Sequence, residues 1–378
     1  RQGDENTIDL RGDNGQMTIN HGASLIIQSP GTAADATILN NNAVILSGKN
    51  PRFIVAENSV FSIDVALRKR GLVLTGEQPE LTIQSGANVT INTMNASAIL
   101  LNGFFPTVTI AGDETQVRVN NETATDANAI ELLGDDSNFY LIDGGTLIVE
   151  SQGVATETSE EQNIALLMKG ADPRMIVGEA ALLQIETTQK RRGIYLTGEN
   201  PELTVQNGSK VRLTAENANA LRVNGKNADV TISGEDTHVR IFSEIAAAEG
   251  AAAFVLTTPS NAAEAGVLTL SQSAILEVES ITASAINITS LNFTFEVQSN
   301  GQLIASSHEA DGDHAVIRFL YFGMVTFHVT DGGIVNVHKK GGSAPLIRIP
   351  SGGNSFEITE GGIVDLYNPG NGNAHDGN

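Results

Sequence analysis

Two clusters of basic residues are the first feature of the sequence that could do chemistry. Each is a run of three cations just before a glycine, in a chain whose formal net charge is −22. The clustered residues are Arg68, Lys69, Arg70, Lys190, Arg191 and Arg192. Guanidinium groups bind carboxylate and sulfate groups through paired hydrogen bonds. The clusters therefore predict a binding site for the acidic groups of a polysaccharide or glycosaminoglycan.

A second interpretation of these clusters needs no ligand. Glu157, Glu160 and Glu161 lie between the two clusters in the sequence and could pair with them locally. Exposed ion pairs of this kind contribute only about 0–1 kcal/mol each. Duplication of an ancestral segment would also repeat a basic cluster without any ligand. Both interpretations of the clusters stay open at the level of sequence.

Acidic residues give weaker evidence for catalysis. Hydrolysis of a glycan needs two carboxyl groups roughly 5–9 Å apart, and a lyase would need several carboxylates to hold Ca²⁺. The best local candidate is the stretch 311–318, which superficially resembles the G-D-D-C-I-A-I-K segment of polygalacturonases. Here His314 replaces the second Asp of that segment, and the Gly-His-Gly of that family is absent. We interpret Asp311-Gly312-Asp313 as an ordinary turn before a strand.

The pair Asp135-Asp136 follows Gly134 and is likewise typical of a turn. No Ser/His/Asp arrangement, phosphate-binding loop or His-rich metal spacing is present. We therefore predict no catalytic residues, no metal site and no cofactor. Ca²⁺ would be compatible with so acidic a chain, but no motif supports it.

Composition limits the classes of partner. The chain has 378 residues, of which 44 are acidic, 22 are basic and none is Cys. So negative a surface argues against nucleic acid and anionic membranes, because phosphate contacts need clustered Lys and Arg. No stretch approaches the roughly 18 apolar residues of a membrane span. The absence of Cys excludes disulfides and thiolate metal sites.

A long internal repeat organises the chain. Residues 51–98 align with residues 173–220 at a constant offset of 122, and roughly 22 of these 48 positions are identical. Pro79-Glu80-Leu81-Thr82, for example, is repeated as Pro201-Glu202-Leu203-Thr204. The repeat indicates the duplication of a segment that itself contains several structural units.

A shorter repeat lies inside the long one. A small residue followed by alternating apolar positions recurs every 27 to 36 residues, and four such steps make the 122-residue unit. The small residues are Ala43, Gly71, Ala98, Ala129, Ala165, Gly193, Ala220, Ala253, Ala285, Ala315 and Ala344. Spacing in this range is typical of solenoids and similar arrays. We expect equivalent residues to stack, so that a bulky side chain would clash at this corner.

Each short unit contains three alternating runs. In residues 71–93 the runs are Leu72-Val73-Leu74, Leu81-Thr82-Ile83 and Val89-Thr90-Ile91, with Gly-rich turns between them. Alternation with a period of two, in Val, Ile and Thr, predicts strands. Three short strands per unit predict an all-β, single-stranded parallel β-helix of about eleven coils that rise about 4.8 Å each. Coils this long favour the right-handed form over the left-handed hexapeptide form. A β-propeller is the alternative, but it needs four antiparallel strands per unit.

The connections between coils differ in length. The connection from the third run to the next coil is long in four coils, at 120–128, 152–163, 243–250 and 306–313. Solenoids build binding surfaces from longer connections on one face, although such insertions are also tolerated without a ligand. We divide the chain into an N-terminal cap or first coil (1–34), the β-helix (35–368) and a flexible tail (369–378).

The repeated pattern resembles a known family. The segments Leu81–Asn92 and Leu203–Thr214 follow a φ-T-I-x-x-G-A-x-V-T-I-N pattern, where φ is apolar. The pattern is similar to the pectate-lyase-like β-helix domains of Gram-positive bacterial surface adhesins, and the resemblance covers most of residues 35–368. It implies a secreted module of a longer, cell-wall-associated protein that acts in attachment.

Taken together, these observations predict a non-catalytic, monomeric adhesion module that contacts a host or matrix glycan or glycoprotein along one edge of a rigid rod. One alternative is a polysaccharide lyase or hydrolase acting on acidic glycans. A second is a passive stalk that only projects other domains.

Overall fold

The computed structural model describes nine stretches of the chain: residues 5–29, 40–122, 127–153, 161–244, 252–258, 265–308, 314–320, 324–349 and 353–368. Within them the chain winds as a parallel β-solenoid whose strands belong to three sheets of twelve strands each, with no helix. Strands numbered in chain order pass in turn to sheet 1, sheet 2 and sheet 3. The predicted all-β solenoid is confirmed, and the hand of its winding stays a prediction from coil length.

Sheet 1 holds the first strand of every coil: β1 (Ile8–Arg11), β4 (Asn42–Gly48), β7 (Arg70–Gly76), β10 (Ile99–Gly103), β13 (Ile130–Leu133), β16 (Ile164–Lys169), β19 (Arg192–Gly198), β22 (Leu221–Gly225), β25 (Ala252–Thr257), β28 (Ser284–Thr289), β31 (Ile317–Leu320) and β34 (Ile347–Arg348).

Sheet 2 holds the second strand of every coil: β2 (Gln16–Ile19), β5 (Arg52–Val55), β8 (Glu80–Ile83), β11 (Thr107–Ala111), β14 (Asn138–Ile142), β17 (Arg174–Val177), β20 (Glu202–Gln206), β23 (Asp229–Ser233), β26 (Gly266–Ser271), β29 (Asn292–Val297), β32 (Met324–Val329) and β35 (Ser355–Ile358).

Sheet 3 holds the third strand of every coil: β3 (Ser24–Ser29), β6 (Val60–Leu67), β9 (Asn88–Met94), β12 (Gln116–Glu122), β15 (Thr146–Gln152), β18 (Leu182–Thr187), β21 (Lys210–Ala215), β24 (His238–Ser243), β27 (Ile275–Ser280), β30 (Gln302–Ser307), β33 (Ile334–Lys339) and β36 (Ile363–Tyr367).

The core is a stack of apolar side chains inside the three sheets. Because successive side chains of a strand point to opposite faces, every second residue enters the interior. Parallel pairing then places like positions over one another, as Leu72, Ile99 and Ile130 are in sheet 1. Aromatic rings stack in the same way, as Phe327 and Phe356 do in neighbouring strands of sheet 2, with ring centroids 4.9 Å apart. One continuous core therefore joins each coil to its neighbours along the solenoid.

The duplicated segment is visible in the strands. β7 and β19 are 122 residues apart and both belong to sheet 1, with four coils from one to the other. The predicted small residue lies at the start of sheet 1, and its cause is confirmed at both glycines. A Cβ added to Gly71 would lie 2.3 Å from the Ala98 carbonyl oxygen, and one added to Gly193 would lie 2.1 Å from that of Ala220.

A second column of glycines closes the corner between sheets 1 and 2. It consists of Gly12, Gly48, Gly76, Gly103, Gly134, Gly170, Gly198 and Gly225. At Gly76, φ is 142° and an added Cβ would lie 1.6 Å from the carbonyl oxygen of Gly48. Each coil therefore rests on the backbone of the one before, and we call this column the glycine ladder.

The first coil and the long connections can be located on the solenoid. Strands β1 to β3 lie within 1–34 and form a first coil that pairs with β4 to β6. Each of the four long connections follows a strand of sheet 3 and precedes a strand of sheet 1, and each contains residues outside the described ranges. The tail 369–378 lies outside the described residues.

Candidate functional site

The two basic clusters lie where sheet 3 turns into sheet 1, but their three residues have different environments. Arg68 and Lys190 are exposed turn residues, with φ of 64° and 70°. Lys69 is buried, and its Nζ donates to Ser29 Oγ at 2.7 Å. The first two positions of each cluster thus point in opposite directions, one outward and one inward.

Arg191 is the buried counterpart of Lys69 and is fully enclosed. Its Nε donates to Ser151 Oγ at 2.8 Å, and its Nη2 donates to Asn121 Oδ1 at 3.1 Å and to the Ala127 carbonyl oxygen at 2.7 Å. An exposed row of six cations is therefore not what the structure contains. Lys69 and Arg191 hold the corner together from inside, and binding by the other four stays a prediction.

The buried cations enter a column of polar residues at the inner end of sheet 3. Its members are Thr93, Asn121, Ser151, Thr187, Ser243, Ser280, Ser307 and Lys339, all buried. Lys339 occupies this column, and its Nζ donates to the Ala344 carbonyl oxygen at 2.5 Å. Buried polar groups need partners, and the corner supplies them from side chains and turn carbonyls.

Arg70 and Arg192, the third residues of the clusters, begin β7 and β19 and are half-buried. Arg192 pairs with Ile164, and its Nη1 lies 3.4 Å from the carbonyl oxygen of Gln162. Arg70 and Gln162 both line an open recess of about 480 Å³ on the outer side of sheet 1. The structure thus brings Arg70 to a concave surface, with Arg192 bonded to a residue of its rim.

The recess, which we call the sheet 1 recess, has an apolar floor and polar walls. Its described lining residues are Arg70, Asn95, Ala96, Ser97, Ala127, Asn128, Glu131, Leu133, Glu161, Gln162, Leu167 and Lys169. Ser97 Oγ donates to Glu131 Oε1, and Asn128 Nδ2 donates to the Glu161 carbonyl oxygen at 3.0 Å. At the rim, Lys169 Nζ pairs with Glu161 Oε2 at 2.5 Å. Glu161 thus pairs within the recess, while Glu157 and Glu160 lie outside the described residues.

Glu131 is the unusual residue of the recess. It lies on the outer face of sheet 1 between Leu100 and Leu167, both nearly inaccessible to solvent. Burial raises the pKa of the Glu131 carboxyl, and hydrogen bonding by Ser97 and the charge of Arg70 act in the opposite direction. Burial also lowers the pKa of Arg70, which the charge of Glu131 opposes. The carboxyl and the guanidinium therefore share a poorly solvated space.

Sequence reasoning did not single out Glu131, although a signal was present. The strand begins Ala129-Ile130-Glu131-Leu132, and pairing gives the equivalents of Glu131 in nearby coils. These equivalents are Ile45, Val73, Leu100, Leu167 and Tyr195. Across the six strands from β4 to β19, Glu131 is thus the one charged residue in this outward column, and a carboxylate among apolar neighbours marks a candidate site.

The structure gives no support to the acidic residues that the sequence analysis considered for catalysis. Asp311 and Asp313 lie outside the described residues. Asp135-Asp136 forms the turn after β13, where Asp135 Oδ1 accepts the backbone N–H of Ala171 at 2.8 Å. Among the described residues, no three His, Asp or Glu side chains are grouped so that they could hold a metal ion.

A smaller recess of about 320 Å³ lies on the outer face of sheet 3. Arg212 and Arg240 pair across neighbouring strands there, with Gln184 one strand further along. Arg240 also forms an ion pair with Glu277 at 3.7 Å between its Nε and Oε1. The sequence prediction did not include these two arginines, which are more exposed than Arg70.

Comparisons with known proteins give no information on the function of this chain. No protein-family model, curated protein or solved structure matches the chain. In the part of the chain that the structure describes, no helix has the length and apolar character needed to cross a membrane.

Proposed function

We propose that the chain is a non-catalytic binding module of a secreted, cell-wall-associated bacterial protein, and that the sheet 1 recess binds glycan. The observation that carries the proposal is the makeup of the recess, in which a hydroxyl, amides, a guanidinium and a half-buried carboxyl surround an apolar floor. A few placed polar groups over apolar surface are typical of small-ligand sites. Sugars present both hydroxyl edges and apolar faces, so they suit such a lining.

The charges of the recess favour a neutral glycan over an acidic one. The negative charge of Glu131 offsets the positive charge of Arg70, and Lys169 forms an ion pair with Glu161. The chain as a whole carries a formal charge of −22, which repels uronates and sulfates at a distance. The proposal of a neutral glycan therefore replaces the expectation from the sequence that the basic clusters bind acidic groups.

Native electrophoresis in gels that contain one polysaccharide each tests the proposal. The panel is mannan, xylan, a soluble β-glucan, pectate and heparin. We expect at least one neutral polysaccharide to retard the protein. Glu131→Gln or Ser97→Ala should weaken the apparent affinity for that polysaccharide tenfold or more. Arg212→Ala, on sheet 3, is the matched control and should leave it unchanged. No retardation of the parent protein by any of the five, or equal retardation of all variants, would contradict the proposal.

One observation favours a second candidate, a glycan-cleaving enzyme. The pKa of Glu131 is raised by burial, as a general acid requires, and Glu161 lines the same recess. This candidate predicts new reducing ends, or absorbance of unsaturated products, when the protein is incubated with the same polysaccharides. Activity that Glu131→Gln abolishes would replace the binding proposal, whereas a module that neither binds nor cleaves would be a stalk.

A further inference from the structure

Phe104 and Phe105 lie in the turn between sheets 1 and 2, directly after Gly103 of the glycine ladder. Both side chains are exposed, to 59% and 48%. Large apolar side chains are usually withdrawn from water, and burying one contributes about 1.5–3 kcal/mol. The chain therefore forgoes a substantial stabilisation at two adjacent positions of one corner.

The backbone at Phe105 adds a second cost. Its φ is 55°, in the left-handed region, where a bulky residue is a genuine outlier. In five other coils the equivalent turn residue also has positive φ, but it carries an amide or carboxyl side chain. These residues are Asn14, Asn50, Gln78, Asp136 and Asp172, with φ between 50° and 60°. Asn and Asp tolerate this region far better than Phe does, so Phe105 is not explained by the needs of the turn.

The duplication supplies an internal comparison. Adding 122 to Phe104 and Phe105 gives Lys226 and Asn227, which lie at the same corner four coils further on. There Asn227 Nδ2 donates to Asn200 Oδ1 at 2.8 Å, and Lys226 Nζ pairs with Glu199 at 3.0 Å. The solenoid can thus close this corner with polar residues that bond to the neighbouring coil.

The surroundings of the two rings indicate a class of ligand. Gln78 in the preceding coil and Asp135 and Asp136 in the following coil are exposed, about 4.8 Å away along the rod axis. Aromatic faces bordered by hydrogen-bond acceptors suit pyranose rings, whose C–H faces are apolar and whose edges carry hydroxyls. The flanking carboxylates and the charge of −22 disfavour uronate and sulfate polymers.

We propose that Phe104 and Phe105 form a stacking platform for a neutral polysaccharide chain. Both rings are exposed at the surface, so an extended polymer that crosses the corner fits better than a small molecule, which needs a concave site. The platform is on a different corner from the sheet 1 recess. It rests on the same glycan class as the proposed function, but on different residues.

The test transplants the corner of the second copy into the first. The double variant Phe104→Lys, Phe105→Asn should unfold at the same temperature as the parent or a higher one. In native gels that contain soluble β-glucan, xylan or mannan, it should lose the retardation of the parent, with apparent affinity at least tenfold weaker. Met324→Lys removes an equally exposed apolar side chain from sheet 2 and should leave retardation unchanged.

A conservative variant provides a direct readout of stacking. The chain contains no Trp, so Phe104→Trp places a single reporter on the platform. We expect this variant to keep the retardation and its emission to change on addition of the polysaccharide that retards the parent.

Several results would overturn the inference. One is retardation of the double variant equal to that of the parent, and another is retardation that only Glu131→Gln reduces, which would assign binding to the recess alone. A parent protein that no polysaccharide retards would also overturn it. Binding of the parent, but not of the double variant, to phosphatidylcholine vesicles would then assign the two rings to a lipid surface instead. A double variant that unfolds several degrees below the parent would make the two rings structural.

Discussion

The Nη2 atom of Arg191 lies 3.1 Å from Oδ1 of Asn121, a residue 70 positions earlier and two coils away. The guanidinium also bonds to Ser151, in the coil between them. One side chain thus bridges three successive coils from inside the solenoid. The middle residue of a cluster that the sequence presents as basic and exposed thus lies inside, where it joins neighbouring coils.

Replacement of Arg191 should destabilise the protein strongly. Arg191→Met keeps much of the volume but leaves Ser151, Asn121 and the Ala127 carbonyl without their donor. Hydrogen bonds to charged groups contribute about 1.5–3 kcal/mol, and unsatisfied buried acceptors add a cost. We expect a loss of roughly 3 kcal/mol or more in the free energy of unfolding, measured by urea denaturation. Arg212 is exposed on β21, which pairs with the strand that precedes Arg191. Arg212→Ala should therefore change the free energy of unfolding by less than about 0.5 kcal/mol. Equal effects of the two variants would contradict an internal role for Arg191.

How far the sequence could predict the fold is clear at Gly71 and Gly76. The small residue at position 71 was recognised because it begins an alternating run, and its stacking role is confirmed. The glycine ladder was missed, although a glycine follows the small residue by five positions in seven consecutive coils. A sequence reveals the spacing of the glycines. Only the three-dimensional structure shows that a Cβ added to one of them would overlap the carbonyl oxygen of the glycine in the preceding coil.

The site was less predictable, for a related reason. Exposure of Lys190 and burial of Arg191 depend on how the chain leaves sheet 3, and neighbouring residues of a turn can face opposite ways. Glu131 became conspicuous only once pairing placed Leu100 and Leu167 on either side of it. Register between distant strands, not local composition, decides which polar residues meet.

The glycine ladder makes a prediction that separates crowding from backbone conformation. Gly76→Ala would place a Cβ 1.6 Å from the Gly48 carbonyl oxygen, whereas a Cβ added to Gly12 would have no heavy atom within 4 Å beyond its chain neighbours. The two glycines have similar φ, 142° and 136°, so Ala strains the backbone to a similar degree at both. We expect Gly76→Ala to lose at least about 2 kcal/mol more than Gly12→Ala. Thermal unfolding of the two variants measures the difference, and similar midpoints would show that the ladder is not sterically required.

Burial of Glu131 should appear in the pH dependence of stability. Its pKa is raised in the folded state, so its ionised form opposes folding at high pH, and this opposition declines below the folded pKa and is gone at the unfolded pKa of about 4.3. Relative to Glu131→Gln, the parent should therefore gain stability as pH is lowered stepwise through the folded pKa towards about 4.3. Urea midpoints of both proteins at each pH measure this. A constant difference between the two, or one of opposite sign, would mean that the carboxyl is well solvated.

Glu279 should behave in the opposite way. Burial acts to raise its pKa, but hydrogen bonding to His308, at 2.6 Å, and the charge of Lys340 outweigh it and lower the pKa. A lowered carboxyl pKa stabilises the fold above the unfolded pKa of roughly 4.3 and ceases to do so as pH falls through the folded value. The parent should therefore be more stable than Glu279→Gln at pH 7, by up to about 1 kcal/mol because the cluster is partly exposed, and equal to it near pH 2. Glu186→Gln, an exposed substitution in the same outward column of sheet 3, serves as the control in the same urea titrations. A parent advantage that persists at pH 2, or that is absent at pH 7, would remove the ionic role of this cluster.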